Sequence, residues 1–532
     1  MTKKYLLVII ILAAFLRFYK LASFPVSLYW DEAAIGYNAF SIAKTGHDEY
    51  GRKFPLLFQS FNDYKLPGYI YTDSIFIKVF DLSEFWVRFP SALFGTFAVL
   101  LIYLLNRKIF NENIALASAF LLAISPWHLQ FSRAAFEANA ALTLVVLGIV
   151  LIFYGFRNKI AAMLSLPILF LSFYFYHSPR IFVPAILLTI AFLYRKEIAK
   201  NAKAYIVGLV VGAILIIPIL VQIVSPQGMK RVGEVSLFSD RSIIEPYVLI
   251  RESVNIPSSA IFLNRRIPLA FEILHSYFSH FSPGFLFFGD DPNPRQKSAL
   301  HGNLYLVEIP LLLAGLWMLL KQKDNKSKLF IVAWLLVAPI PAGLAREFPH
   351  SLRALLMLPA LVTLSAIGFT SAFRIKFAKL IIPIVFSLSI INYLFTYYVV
   401  SPQTSSASWA YGYEQAFVKV AALEGDYDRV IFTGNYWKPY IFYLFYNKVD
   451  PGIFAKSRSE TELGKYRFGV AAWDGGKNFD NTRVEELKSG KTLVVLSPQE
   501  FSTLMSGEKL KSLQTIYDFA GTNEIFKIGQ WQ

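Results

Sequence analysis

The sequence predicts a polytopic α-helical membrane protein, with about eleven transmembrane helices, followed by a C-terminal extracytoplasmic α/β domain. Three observations predict this. Of 532 residues, 55% are hydrophobic and 17% charged, with a mean hydropathy of +0.46, which is more apolar surface than a soluble fold of this size can bury. Apolar runs long enough to cross a bilayer recur through the first 400 residues. After Ser401 the apolar runs shorten and the composition becomes that of a soluble protein.

The apolar runs fall near 5–22, 87–106, 113–130, 138–156, 160–176, 179–194, 203–224, 304–320, 329–345, 353–372 and 377–399. The first follows Lys3 and Lys4 as a signal peptide would, but Arg17, Phe18, Tyr19 and Lys20 replace a small-residue cleavage site, so it reads as a retained helix. Basic residues gather at every second connection: Lys3/Lys4, Arg107/Lys108, Arg157/Lys159, Arg195 to Lys203, Lys321 to Lys328 and Arg374 to Lys379. The positive-inside rule makes these cytoplasmic, together with the N-terminus. Segments 23–86, 125–137, 177–180, 225–303 and 346–352, and everything after 400, then face outward.

This organisation divides the chain into a transmembrane domain, 1–400, carrying outer loops 23–86 and 225–303, and a soluble domain, 401–532. In the long outer loop, Leu274 to Phe278 and Phe285 to Phe288 read as amphipathic segments in the membrane interface. In the soluble part, Val430–Thr433, Phe468–Trp473, Thr492–Leu496 and Ile525–Ile528 read as strands, Ser497–Lys511 as helical or turn-rich, and Asp474 to Asn478 as a turn. The net charge of +16 lies in short loops between apolar runs, which fits membrane orientation and gives no nucleic-acid footprint. The chain has no cysteine, which excludes disulfides, thiolate metal sites and cysteine nucleophiles.

Chemistry-bearing residues concentrate on the outward side. Trp30-Asp31-Glu32 follows the first apolar run, and Asp63-Tyr64-Lys65-Leu66-Pro67 comes about thirty residues later. Adjacent carboxylates beside a membrane helix are costly near lipid and read by default as functional. Asp31 is the expected proton acceptor, with Glu32 orienting or replacing it; the bland alternative is a cap on the helix beginning near Ala33. Lys65 is expected at a phosphate with Asp63 fixing it, and Tyr64 and Glu137 are expected at substrate. Arg133, His177, Arg180, Arg346, His350 and Arg353 sit at outer helix ends beside prolines. Snorkelling to headgroups would explain any one of them; as a group they suit a lipid phosphate. His47, Asp48 and Glu49 lack clear metal-ligand spacing. Asp290 and Asp291 read as a turn.

Arg17, Trp30-Asp31-Glu32, Tyr37, Gly46, Lys65-Leu66-Pro67, Trp86-Val87-Arg88-Phe89-Pro90-Ser91-Ala92-Leu93-Phe94-Gly95 and Ser125-Pro126-Trp127 occur in that order. In these features the chain resembles the GT-C glycosyltransferases, in particular the family 39 group of protein O-mannosyltransferases and aminoarabinose transferases. The detailed resemblance covers about the first 180 residues. It implies an inverting transferase that takes a sugar from a polyprenyl-phosphate carrier at the outer leaflet, with Asp31 as base and Lys65 near the donor phosphate. A divalent metal ion is compatible with the resemblance, and the acceptor is a protein, lipid or glycan. Leu66 stands where the first of two prolines is common, so the pattern does not fix the lysine geometry here.

Two other readings share the arginines: a flippase for lipid-linked sugars, and a polysaccharide polymerase or ligase. Transporters place charge near the midplane of interrupted, repeated helices; here it lies at outer helix ends and no repeat is evident. The enzyme reading expects acidic and basic groups from several outer helix ends to gather around one lipid headgroup.

Overall fold

The computed structural model describes residues 2–531 except 62, 227, 230–232, 234–235, 254–263, 265, 298–299, 437, 470–489 and 506–509. The turn expected at 474–478 lies outside the described residues, as does much of the strand expected over Phe468–Trp473.

Helices form at the expected apolar runs, but their lengths differ from a uniform set of spans. The first helices are α1 (Thr2–Phe18), α2 (Trp30–Thr45), α3 (Pro67–Phe80), α4 (Glu84–Ile109), α5 (Glu112–Ile124), α6 (Pro126–Ser132) and α7 (Glu137–Gly155). Among the described residues six helices are long and apolar enough to cross a membrane, or seven if the α5–α6 pair, bent by 58°, is one span. The chain is a multi-pass membrane protein. Others, such as Pro179–Leu193 with 15 residues, fall short of the roughly 20 residues that a 30 Å hydrocarbon layer requires. Proline sets the α5–α6 break: Pro126 has no N–H to continue the ladder, and the Trp127 amide turns to the Asn303 carbonyl at 3.2 Å.

The chain divides differently from the expected boundary at 400. One compact unit holds Met1–Tyr19 and Pro90–Thr396; the other joins Lys20–Phe89 to Tyr397–Gln532. The reason lies in α2, which is buried nearly all round and needs an apolar partner. It finds helix Pro439–Tyr446: a Cβ added at Gly36 would lie 2.8 Å from the Phe445 ring, and Tyr37 donates to the Val449 carbonyl at 3.1 Å. Tyr446 further donates to Glu84 Oε1 at 2.8 Å. The first outer loop is therefore part of the same body as the C-terminal residues.

That second unit contains a hairpin, β1 (Phe58–Ser60) and β2 (Asp63–Lys65), and a six-stranded mixed sheet. Its strands are β3 (Arg429–Phe432), β4 (Glu462–Leu463), β5 (Tyr466–Phe468), β6 (Thr492–Leu496), β7 (Leu510–Tyr517) and β8 (Glu524–Trp531). The order is β4-β5-β3-β6-β8-β7, with β3 parallel to β5 and β6 and the remaining pairs antiparallel. Ile431, Val494, Leu496, Phe501 and Leu510 pack together on one side. On the other, Tyr413 stacks on Phe442 at 4.2 Å and Phe417 on Phe432 at 4.5 Å. Strand β7 was not expected: its outward residues Lys511, Ser512 and Gln514 make it read as turn-rich, and it is pairing with β8 that makes it a strand. Helices α3 and the β1–β2 hairpin are likewise legible only in the fold.

Candidate active site

The Asp31–Lys65 pair is the centre of the site. Asp31 lies in the first turn of α2, one residue past the start, so the capping role falls elsewhere: the Tyr29 amide donates to Glu32 Oε2 at 3.4 Å. Lys65 ends β2, immediately before α3. Its Nζ donates to Asp31 Oδ1 at 2.5 Å. The Lys65 side chain is 6% exposed and that of Asp31 33%, so the carboxylate faces accessible space while the ammonium is held from behind. The sequence pairs Lys65 with Asp63; in the fold Asp31 holds it, and Asp63 accepts from the Tyr64 amide at 2.7 Å. Asp63 and Tyr64 remain half-buried beside it on the hairpin.

Glu32 does not share the exposure of Asp31. It is fully buried and forked by Arg88, with Nε to Oε1 at 3.0 Å and Nη2 to Oε2 at 3.1 Å. Arg88 also donates to the carbonyls of Leu21 at 3.2 Å, Pro25 at 2.8 Å and Ser27 at 2.5 Å. A planar guanidinium with five N–H groups suits this purpose. The pair ties the 21–27 loop, the start of α2 and α4 together, and so fixes where Asp31 points. Glu32, expected at the chemistry beside Asp31, is in this geometry a positioning residue.

The same unit holds two further buried carboxyls. Glu49 is fully buried, and its amide donates to Asn38 Oδ1 at 3.1 Å. Burial, reinforced by Asp48 and Glu460, pushes its carboxyl up to about 8. Asp73 on α3 is fully buried, with neither carboxyl oxygen hydrogen-bonded among the described residues. Burial and the Glu32 carboxylate hold it well above the usual range. The neighbouring Asp48 is neutralised by Arg52 at 2.7 Å. Among the described residues no group of three His, Asp or Glu is placed to hold a metal ion.

The other unit holds the remaining candidates, and they fall into two sets. Arg133 is 1% exposed, with Nη1 on the Leu16 carbonyl at 2.7 Å and Nη2 on that of Tyr19 at 2.8 Å. It caps the C-terminal end of α1, a structural duty that removes it from the surface where a phosphate was expected. Arg17 does the same for the broken α5: it donates to the Leu122 and Ala123 carbonyls at 3.2 and 3.1 Å and contacts His128 Nδ1 at 2.7 Å. Gly95 makes room, since a Cβ there would meet Ser132 Oγ at 2.2 Å. His350 is also buried, facing Gln296 at 3.2 Å and accepting from the Arg353 amide at 3.4 Å.

The second set stays accessible. Arg180 contacts the exposed His177 at 2.7 Å. Ser178 donates to the Arg353 carbonyl at 3.0 Å, joining that turn to the 346–353 segment. Arg353 lines a crevice with Tyr176, Pro179, Leu352 and the start of α7, while its own Nη1 reaches the Arg346 carbonyl. Arg346 pairs with Asp240 at 3.3 Å. Glu137 opens α7, half-buried. Lys438, which no motif marks, pairs with Glu460 at 2.9 Å in the same unit as Asp31.

With this geometry in place, comparison with known proteins shows what the chain is similar to. The sequence profile of the dolichyl-phosphate-mannose-protein mannosyltransferase family matches residues 65–221. No curated protein sequence matches the chain. Among solved structures, ArnT from Cupriavidus metallidurans in the apo state is similar, with a TM-score of 0.59 at 11% identity over 99% of this chain and 98% of that one. The same protein bound to undecaprenyl phosphate gives 0.58 at 10% identity over 99% and 97%. The Archaeoglobus fulgidus oligosaccharyltransferase complex with Zn and sulfate gives 0.50 at 16% identity, covering 82% of this chain and only 61% of that one. The chain thus shares its fold with these solved structures. Over residues 65–221 it carries the sequence pattern of the mannosyltransferase branch.

Proposed function

We propose that this protein is a membrane glycosyltransferase that moves a sugar from a polyprenyl-phosphate carrier to an acceptor hydroxyl at the outer face of the membrane, with inversion. The observation that carries this reading is the Asp31–Lys65 pair, a proton acceptor and a phosphate-binding cation 2.5 Å apart. The acceptor oxygen attacks the anomeric carbon while the bond to the phosphate oxygen breaks. Its proton passes to Asp31, and the electron pair leaves on the phosphate, where Lys65 meets the developing charge. One displacement inverts the centre. Phosphate needs no general acid once its charge is met. Tyr64 and Asp63, on the hairpin that carries Lys65, are the groups offered to sugar hydroxyls, and in the other unit Arg180, Arg346, Arg353 and His177 are cations that suit a lipid headgroup, with Glu137 a further carboxylate. The acceptor is a protein, lipid or glycan hydroxyl. The N-terminus is cytoplasmic, and the 20–89 segment and C-terminal sheet are extracytoplasmic, by the charge of the loops.

The test is release of free polyprenyl phosphate from labelled polyprenyl-phosphate sugars by the purified protein. Asp31→Asn is expected to reduce release by about 10²–10⁴-fold with donor binding near normal. Full activity in that variant removes Asp31 from the mechanism. Arg353→Ala is expected to raise the donor KM with little change for the acceptor; equal damage to both would mark a folding role.

A further inference from the structure

We propose that Lys438, delivered by the C-terminal residues, is a second donor-phosphate ligand beside Lys65, the two ammonium groups sharing the Phe61 ring as the floor of a sugar-phosphate subsite. The inference rests on the function proposed above and adds a residue and a charge requirement to it.

Phe61 lies in the β1–β2 turn with φ 56°, and Lys438 precedes helix Pro439–Tyr446 with φ 51°. Left-handed backbone is unfavourable for residues with side chains and concentrates where function requires it. Lys65 Nζ lies 5.3 Å and Lys438 Nζ 5.8 Å from the centre of the same ring. Lys65 meets the Asp31 carboxylate, and Lys438 that of Glu460 at 2.9 Å. Glu460 is fixed in turn by the Tyr50 hydroxyl at 2.7 Å.

Exposure separates this arrangement from a structural lock. Arg88 and Glu32 are at 0%, whereas Lys438 and Glu460 are at 28% and 23%, open to a ligand that takes the carboxylate's place. An aromatic ring with two cations over it suits a sugar bearing a phosphate.

The charge count gives the second lysine its purpose. A polyprenyl-phosphate sugar is a phosphodiester with one negative charge. When the sugar leaves, the electron pair of the broken carbon–oxygen bond stays on the phosphate, and the product is a monoester approaching two charges above its second pKa of about 6. Lys65 suffices for the donor. Lys438 answers the charge that appears only as the bond breaks, the kind of interaction that accelerates the step.

The experiment measures binding of polyprenyl phosphate to the full chain in detergent at pH 6 and pH 8, beside phosphatidylglycerol as an anionic lipid of fixed charge. Lys438→Gln is expected to bind polyprenyl phosphate about tenfold more weakly at pH 8 and to lose most of the pH dependence, with phosphatidylglycerol unaffected. Lys438→Arg should keep affinity within about threefold. Glu460→Gln should bind as tightly as the wild type or more so. A Glu460→Gln loss matching that of Lys438→Gln would make the pair structural and overturn the proposal. Wild-type affinity in Lys438→Gln, or an equal loss for phosphatidylglycerol, would do so too. If the wild type fails to bind polyprenyl phosphate, the proposed function itself falls, a result distinct from any of these.

Discussion

Asp31 and Glu32 are neighbours in sequence with opposite fates, and the difference is burial. Asp31 faces accessible space with Lys65 behind it, while Glu32 is sealed in a fork with Arg88, whose other N–H groups go to backbone carbonyls of the 21–27 loop. Breaking a buried ion pair by removing one partner leaves an uncompensated charge and costs about 3–5 kcal/mol. Glu32→Gln or Arg88→Ala should therefore lower the melting temperature and lose activity with it, whereas Asp31→Asn should lose activity at nearly unchanged melting temperature. Thermal unfolding in detergent beside the transfer assay checks this; an inactive but fully stable Glu32→Gln would return Glu32 to the chemistry. The same logic separates the arginines. Arg17, Arg88 and Arg133 occur within or beside apolar runs, and a charge in such a run signals a buried partner; which partner, the local sequence does not say.

At the scale of an element, the 46–54 connection after α2 carries its own pH signature. Glu49 is held by burial at about 8 in the fold against an ordinary 4.5, so the folded state binds more protons than the unfolded state between those values. Stability then falls as pH rises from about 4.5 towards 8, because the unfolded chain ionises freely while the folded chain must bury the charge. Glu49→Gln should flatten the decline in melting temperature between pH 5 and 8 and make the variant more stable than the wild type at pH 8. An unchanged slope would mean Glu49 is solvated. Helix α2 itself was legible: alanine-rich, with Asp31 and Glu32 in its first turn, Lys44 in its last and Gly46 at φ 70° just past its end. Strand β7 was not, since its alternation is weak and its partner β8 supplies the order.

For the whole molecule, the consequential finding is that Lys20–Phe89 belong with Tyr397–Gln532. A chain ending at 396 should still insert its apolar helices, but the 20–89 segment would lose the Val449 carbonyl and the Phe445 surface against which α2 packs. It should then become open to protease and inactive; a truncated chain whose 20–89 segment stays protected would restore the boundary at 400. The amino-acid sequence alone determined the membrane class, the places of the apolar helices and the change of composition after residue 400. Hydropathy, loop charge and residue type are local properties, and they survive being read one window at a time. Only the tertiary structure decided that Lys65 answers to Asp31, that Glu32 and Arg133 serve the scaffold, and that Lys438 arrives beside Phe61. Those are pairings between residues from 34 to several hundred positions apart, set by which apolar faces find each other, and no local pattern encodes that choice.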